Sequence, residues 1–253
     1  MSSGARLLLV GVGGLGSPLA LALAAAPEVA SLTLLDPDVV EISNLHRQIL
    51  LSGAALGQPK VEAAAAMLRR RGPRAASPSP TLSLRPLQAR LHPENSRQLF
   101  AQHDLIIDGS DDLATKFLVS DTACATARPA LIGGIVRFAG QLQTVMPGVA
   151  CYRCLFEEPP PPDRVLSCQS AGVLGPSCGL VAGLMATEAL AILAGRPRYA
   201  GAVLTLDLLA GQRRRIRLSP RPDCPACQGS LDRPSARPAG PPPGKIDSAV
   251  GCS

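Results

Sequence analysis

Two cations, a set of carboxylates and a glycine turn are the residues here whose types and spacing suggest chemistry. Gly11-x-Gly13-x-x-Gly16 follows a short apolar run, and Gly14 adds another position without a side chain. Such a turn lets the backbone approach phosphate closely at a helix start, where unpaired N–H groups favour an anion. Asp36 lies twenty residues past Gly16, where an acceptor for a ribose hydroxyl belongs. Alone, this fingerprint suits a dinucleotide, a mononucleotide or an empty turn. The stretch "LDPDVVEISNLHRQIL", Leu35 to Leu50, discriminates. Arg47 offers a planar fork to phosphate oxygens, with Asn44 and Gln48 as neutral donors beside it. Lys60 opens the next helix with a point charge, and Asp111, after a strand end, suits Mg²⁺. A triphosphate needs side-chain cations more than a dinucleotide does. Two cations and a carboxylate around one glycine loop are what phosphate or nucleotidyl transfer requires.

Cysteine supplies a second constellation. Cys151-x-x-Cys154 and Cys224-x-x-Cys227 are two clips far apart in sequence. Four thiolates suit tetrahedral Zn²⁺, and a closed set is structural rather than catalytic. Cys124 and Cys178 fall in apolar helical stretches and read as core packing, and Cys252 lies in a tail. His46, His92 and His103 are assigned surface or capping roles and no catalysis.

These residues need elements to position them. Residues 6–11 read as a central parallel strand, followed by a helix through "LALALAAA" and a second strand ending at Asp36. Lys60 to Arg71 is helical, "TLSL" near 82 is a third strand and "DLIIDGS" a fourth ending at Asp108. Asp112 to Ala127 is helical, and "PALIGG" is a fifth strand. This alternation predicts a Rossmann-like, doubly wound, mainly parallel α/β sheet. After residue 134 the pattern changes. "GQLQTVMPG" reads as an added strand or hairpin arm, residues 157–163 as a mobile Pro-rich loop, and Ser177 to Ala194 as an apolar helix. "AVLTLDLL" and "RRRIRLS" read as a final strand pair, giving an antiparallel C-terminal portion. Residues 229–253 read as a disordered tail.

Composition sets bounds. The 253 residues are 46% hydrophobic, enough for one sizeable α/β core, and aromatics at 2% without Trp argue against a stacking platform for nucleic acid. The formal charge of +6 includes Arg69-Arg70-Arg71 and Arg213-Arg214-Arg215, read as a helix end and a strand edge. The start resembles a signal peptide, but four glycines and a proline inside the apolar run favour strand, turn and helix. No membrane span and no nucleic-acid partner are expected, and the chain reads as cytoplasmic.

Together, "GVGGLGS", "LLDPDVVEISNLHRQ", "GQPKVEAA", "HDLIIDGSDD", "CYRC" and "CPAC" resemble, in order, the motifs of the HesA/MoeB/ThiF family, bacterial relatives of ubiquitin-activating enzymes. The resemblance spans roughly residues 6–228. It implies one nucleotide-binding adenylation domain over 1–228. It implies ATP-dependent adenylation of the C-terminal glycine of a ubiquitin-like sulfur-carrier protein, in thiamin or molybdenum cofactor biosynthesis, and a homodimer. Matched residue by residue, Gly14 and Asp36 contact the nucleotide, with Gly11, Gly13 and Gly16 forming its loop. Asn44, Arg47 and Lys60 line the phosphates, and Ser43 and Gln48 count among the cofactor-binding residues. Asp111 organises Mg²⁺, with Asp112 beside it, and Cys168 matches the family's reactive cysteine. Arg47, Lys60, Asp111 and Cys168 are the catalytic candidates. Two departures stand out. Asp112 replaces the family's usual Asn, and the chain starts after the place of the family's N-terminal helical segment, whose Arg reaches the neighbouring subunit. The competing readings are a non-catalytic, zinc-braced nucleotide-binding scaffold and an NAD(P)-dependent oxidoreductase.

Overall fold

The computed structural model describes residues 4–71, 82–159 and 172–228. Among them the strands are β1 (Ala5–Val10), β2 (Val29–Leu35), β3 (Ser83–Leu87), β4 (Leu105–Asp108), β5 (Ala130–Val136), β6 (Ala139–Val145), β7 (Ala202–Asp207) and β8 (Gln212–Arg217). They form one sheet in the order β3-β2-β1-β4-β5-β6-β7-β8. β1 to β5 run parallel, and β6, β7 and β8 are added antiparallel. The helices are α1 (Gly16–Ala25), α2 (Lys60–Arg70), α3 (Pro93–Ala101), α4 (Leu113–Thr126), α5 (Tyr152–Leu155) and α6 (Gly175–Leu193).

β1 is apolar on both faces because helices cover both, as a central parallel strand requires. Its alternation divides the core: Leu7 and Leu9 face one layer, Leu8 and Val10 the other. The first layer holds α1, α2 and α6; the second holds α3, α4 and the cysteine clips. Both arginine runs fall where composition placed them, at the end of α2 and on the exposed edge strand β8.

The stretch after residue 134 resolves as a hairpin arm, with β6 paired antiparallel to β5 around Arg137 at φ 53°. α3, which bridges β3 and β4, was not expected from the sequence. Pro93 at its start is the signal that marks it, and Asn95 accepts the His92 backbone N–H at 2.9 Å. α6 has the length and apolar character of a membrane span, yet it packs against α1 and β5. Its buried Glu188 accepts from Thr144 Oγ1 at 2.7 Å, from Arg198 N at 2.9 Å and from Tyr199 N at 3.0 Å. The Pro-rich loop lies partly outside the described residues, and the 229–253 tail wholly so.

Candidate functional site

A cavity of about 950 Å³ opens beyond the paired ends of β1 and β4, at the carboxyl ends of the parallel strands. Strand order reverses there, so adjacent loops separate and leave a crevice. Gly11 has φ 86°, and a Cβ on it would sit 2.9 Å from the Ser110 backbone. A Cβ on Gly16 would collide with the Gly11 carbonyl oxygen. The turn thus folds on itself and against the loop after β4. α1 starts without a side-chain cap, but Ser17 N and Leu19 N already donate to Gly13 O at 2.9 Å and Leu15 O at 3.2 Å and Pro18 has no N–H, so the backbone offered to an anion is that of the glycine turn ahead of the helix. Gly11, Gly13 and Gly14 line the cavity; Gly16 lies behind them.

Asp36, 5% exposed, accepts from Val12 N at 2.7 Å and Asp38 N at 2.9 Å. Burial raises its carboxyl above the ordinary range, while the Val12 N–H and the Lys60 charge oppose the rise.

The next wall is the turn Ile42–Asn44 and the residues after it. Arg47 donates to Asn44 Oδ1 at 2.7 Å and has no carboxylate partner among the described residues. Gln48 is 2% exposed, lines the cavity, and keeps a buried Oε1 without a hydrogen-bond partner. Lys60 Nζ pairs with Asp38 Oδ2 at 2.8 Å. The sequence did not single out Asp38, though it holds both Lys60 and the turn after β2. Ser43 is the exception in this stretch. Its hydroxyl turns toward Glu41 at 3.5 Å, it does not line the cavity, and only its carbonyl reaches Arg47.

Across the cavity lies the segment after β4. Asp111 is exposed, lines the cavity, and makes no hydrogen bond or ion pair among the described residues. Its free carboxylate is an oxygen donor of the kind a divalent cation takes. Asp112 caps α4, accepting from Thr115 N at 2.9 Å and Thr115 Oγ1 at 2.6 Å. An acid serves that capping role as well as Asn does. The sequence reading missed Lys116, fully engaged with Asp108 Oδ2 at 2.8 Å, Ser110 O at 2.7 Å and Gly133 O at 2.6 Å. Its spacing from Asp108 was the available signal: one helical turn into α4, on the strand's own face.

On the second layer, Cys151, Cys154, Cys224 and Cys227 bring their sulfurs within 4.8 Å of one another. Cys151 lies 3.9 Å from Cys154 and 3.5 Å from Cys224, and Cys154 lies 3.5 Å from Cys227, sulfur to sulfur. Thiolates about 2.3 Å from a tetrahedral zinc sit about 3.8 Å from each other, so the set fits that ion. The Cys151 thiol is pulled down to about 5, chiefly by hydrogen bonding from Cys124, whose own thiol is pushed up as the donor. Arg153 locks the knuckle to α4 through Asp121 at 2.8 Å. Tyr152 stacks edge-on against Phe117, ring centres 5.1 Å apart. Cys124 and Cys178 are buried as expected, although Cys178 also lines the cavity beneath Gly14. Cys168 lies outside the described residues. His46 is exposed and His92 starts α3, but His103 corrects the expectation of a surface or capping role. It is 2% exposed and bridges Thr33 Oγ1 and Leu99 O, both at 2.7 Å.

The model described as the ThiF family matches residues 3–226. The chain is 43% identical over 226 residues to the pig (Sus scrofa) "Adenylyltransferase and sulfurtransferase MOCS3", covering 88% of this chain and 48% of that protein. It is 37% identical over 240 residues to the "Sulfur carrier protein adenylyltransferase" of Thermus thermophilus, covering 92% and 84%. It is likewise 37% identical to the "SAMP-activating enzyme E1" of Haloferax volcanii, covering 90% and 82%. The chain thus spans about half the length of the animal relative and most of the other two. Escherichia coli MccB crystallised with ATP superposes with a TM-score of 0.74 at 18% identity, over 89% of this chain and 67% of that one. At that identity the likeness speaks to the fold.

Proposed function

The chain belongs to the ThiF family, and from that premise we propose that it adenylates the C-terminal glycine carboxylate of a ubiquitin-like sulfur-carrier protein. One observation carries the reading: Arg47 and Lys60 line the same cavity at the glycine loop as Asp111, which has no partner among the described residues. The names of the bacterial and archaeal relatives support it.

A carboxylate is a poor acyl donor because its leaving group is oxide. Attack of its oxygen on the α-phosphorus of ATP forms an O–P bond, breaks the bond to pyrophosphate, and leaves an acyl adenylate whose leaving group is AMP. The obstacle is bringing one anion to another. Arg47 and Lys60, which line the cavity beside the glycine turn, are assigned to offset that repulsion and the charge on the departing pyrophosphate. No general base is required, since the attacking carboxylate is already ionised. Asp36 and the glycines are assigned to the ribose and phosphates, and Asn44, Gln48 and Asp112 to the surrounding contacts. Asp111 is assigned to Mg²⁺, which neutralises phosphate charge when bound. The four clip cysteines are assigned to a structural Zn²⁺. Cys168 is retained as the candidate for a covalent link to the carrier. Ser43 keeps at most a backbone role.

We read residues 1–228 as one cytoplasmic domain serving thiamin or molybdenum cofactor sulfur transfer. We read its assembly as a homodimer; the uncharged outer face of α6, with Leu180 half-exposed, supports that. The test is pyrophosphate release with ATP, Mg²⁺ and a carrier protein ending in Gly-Gly. Carrier-dependent release is expected. ATP binding without turnover points instead to the nucleotide-binding scaffold, and a response to NAD alone to the oxidoreductase.

A further inference from the structure

Lys116, which borders the cavity, forms an ion pair with Asp108 behind the lining, 4% and 0% exposed at their side chains. An ammonium taken out of water needs an acceptor for each of its three N–H donors. Lys116 has them: Asp108 Oδ2, the Ser110 carbonyl and the Gly133 carbonyl, all within 2.8 Å. No donor remains for a phosphate, so this cation is not a ligand-binding group although it borders the cavity. Its bonds go to protein, two of them to Asp108 and Ser110 on the segment that carries Asp111 and the third to β5.

Asp108 Oδ1 accepts from both Ser110 N at 3.0 Å and Ser110 Oγ at 2.6 Å. Lys116 donates to the Ser110 carbonyl as well. Asp112 is fixed by capping α4. Every residue around Asp111 is therefore held, while the Asp111 carboxylate has no partner among the described residues. The Gly133 bond ties the same assembly to β5, so the segment cannot drift from the sheet.

We propose that Lys116 is a positioning residue for Asp111, holding that carboxylate where a divalent cation on a bound triphosphate requires it. The inference rests on the adenylation reading. Groups that orient a metal ligand typically alter metal affinity or activity about 10–100-fold when replaced. The loss belongs to the metal rather than to the nucleotide, because Lys116 has no free donor for phosphate.

The experiment uses the full chain with Lys116→Met, Lys116→Arg, and the double variant Asp108→Asn/Lys116→Met, which removes both buried charges and so guards against misfolding. Mn²⁺ affinity of the ATP-saturated chain is read by electron paramagnetic resonance, and ATP affinity by calorimetry in EDTA. Lys116→Met and the double variant are expected to weaken Mn²⁺ binding about tenfold or more and to leave metal-free ATP affinity unchanged. Lys116→Arg, which keeps the charge and several donors, recovers most of the loss. Unchanged Mn²⁺ affinity in the folded variants overturns the proposal, as does an equal loss of metal-free ATP affinity. Wild-type chain that binds Mn²⁺ and ATP but releases no pyrophosphate with carrier overturns the adenylation reading alone. In that case the Mn²⁺ titration still decides the role of Lys116.

Discussion

The backbone N–H of Val12 points at the carboxylate of Asp36, 2.7 Å away, and joins the glycine turn after β1 to the end of β2. The acid placed to meet a ribose therefore also shapes the loop that meets the phosphates. The same carboxylate holds Asp38 N, and Asp38 holds Lys60, so three parts of the cavity wall hang on one buried side chain.

Replacing Asp36 by Asn is expected to weaken ATP binding about tenfold or more, since a hydrogen bond to a charged group contributes about 1.5–3 kcal/mol. It also changes the pH dependence of stability. Burial raises the folded-state carboxyl, so the native chain holds its proton to higher pH than the unfolded chain does. Wild-type stability relative to Asp36→Asn should fall as pH rises from the ordinary carboxylate range through that raised value. Urea midpoints of both proteins at the two ends of the window check this; a pH-independent difference contradicts it.

Arg47→Ala is expected to slow carrier-dependent pyrophosphate release about 100-fold or more, the usual effect of deleting one group that stabilises developing charge. Melting temperature should barely move, because Arg47 has no carboxylate partner among the described residues. Lys at this position should recover only part of the rate, lacking the planar fork. Release rates and thermal melts on the same preparations separate the two effects.

Zinc analysis of the purified chain should give about one ion per molecule, and Cys224→Ser should lose it. Loss is expected to lower the melting temperature by several degrees, at about 2–4 °C per kcal/mol for a chain this size. A metal-free wild-type chain that melts at the same temperature would remove the structural role from the four cysteines.

Glu188→Ala leaves Thr144 Oγ1 and the Arg198 and Tyr199 N–H groups without their acceptor in the core. The expected cost is about 3 kcal/mol or more, read by chemical denaturation. Glu188 does not line the cavity, so the folded fraction should keep its nucleotide affinity.

Much of this molecule was determined by local pattern. Apolar runs that end at Gly11, Asp36 and Asp108 set three parallel strands, and glycine spacing set the turn between β1 and α1. Chemical type was enough to nominate Arg47, Lys60 and Asp111, because few side chains can meet phosphate or a hard cation. Likewise two C-x-x-C clips announced their pairing, which the fold then brought together across 73 residues. Other features lay beyond pattern. α3 is a nine-residue, largely polar helix, too short and too polar to stand out as an apolar run, and Ser43 faces away from the cavity although its neighbours line it.

The Lys116–Asp108 pair shows where tertiary structure takes over. Each residue alone reads as an ordinary surface charge. Which face of β4 a residue occupies follows from alternation, but which helix covers that face depends on strand order and crossover. Only when α4 packs on the side shared by Ile106 and Asp108 does the lysine meet its acid, in a place too dry for either to remain unpaired.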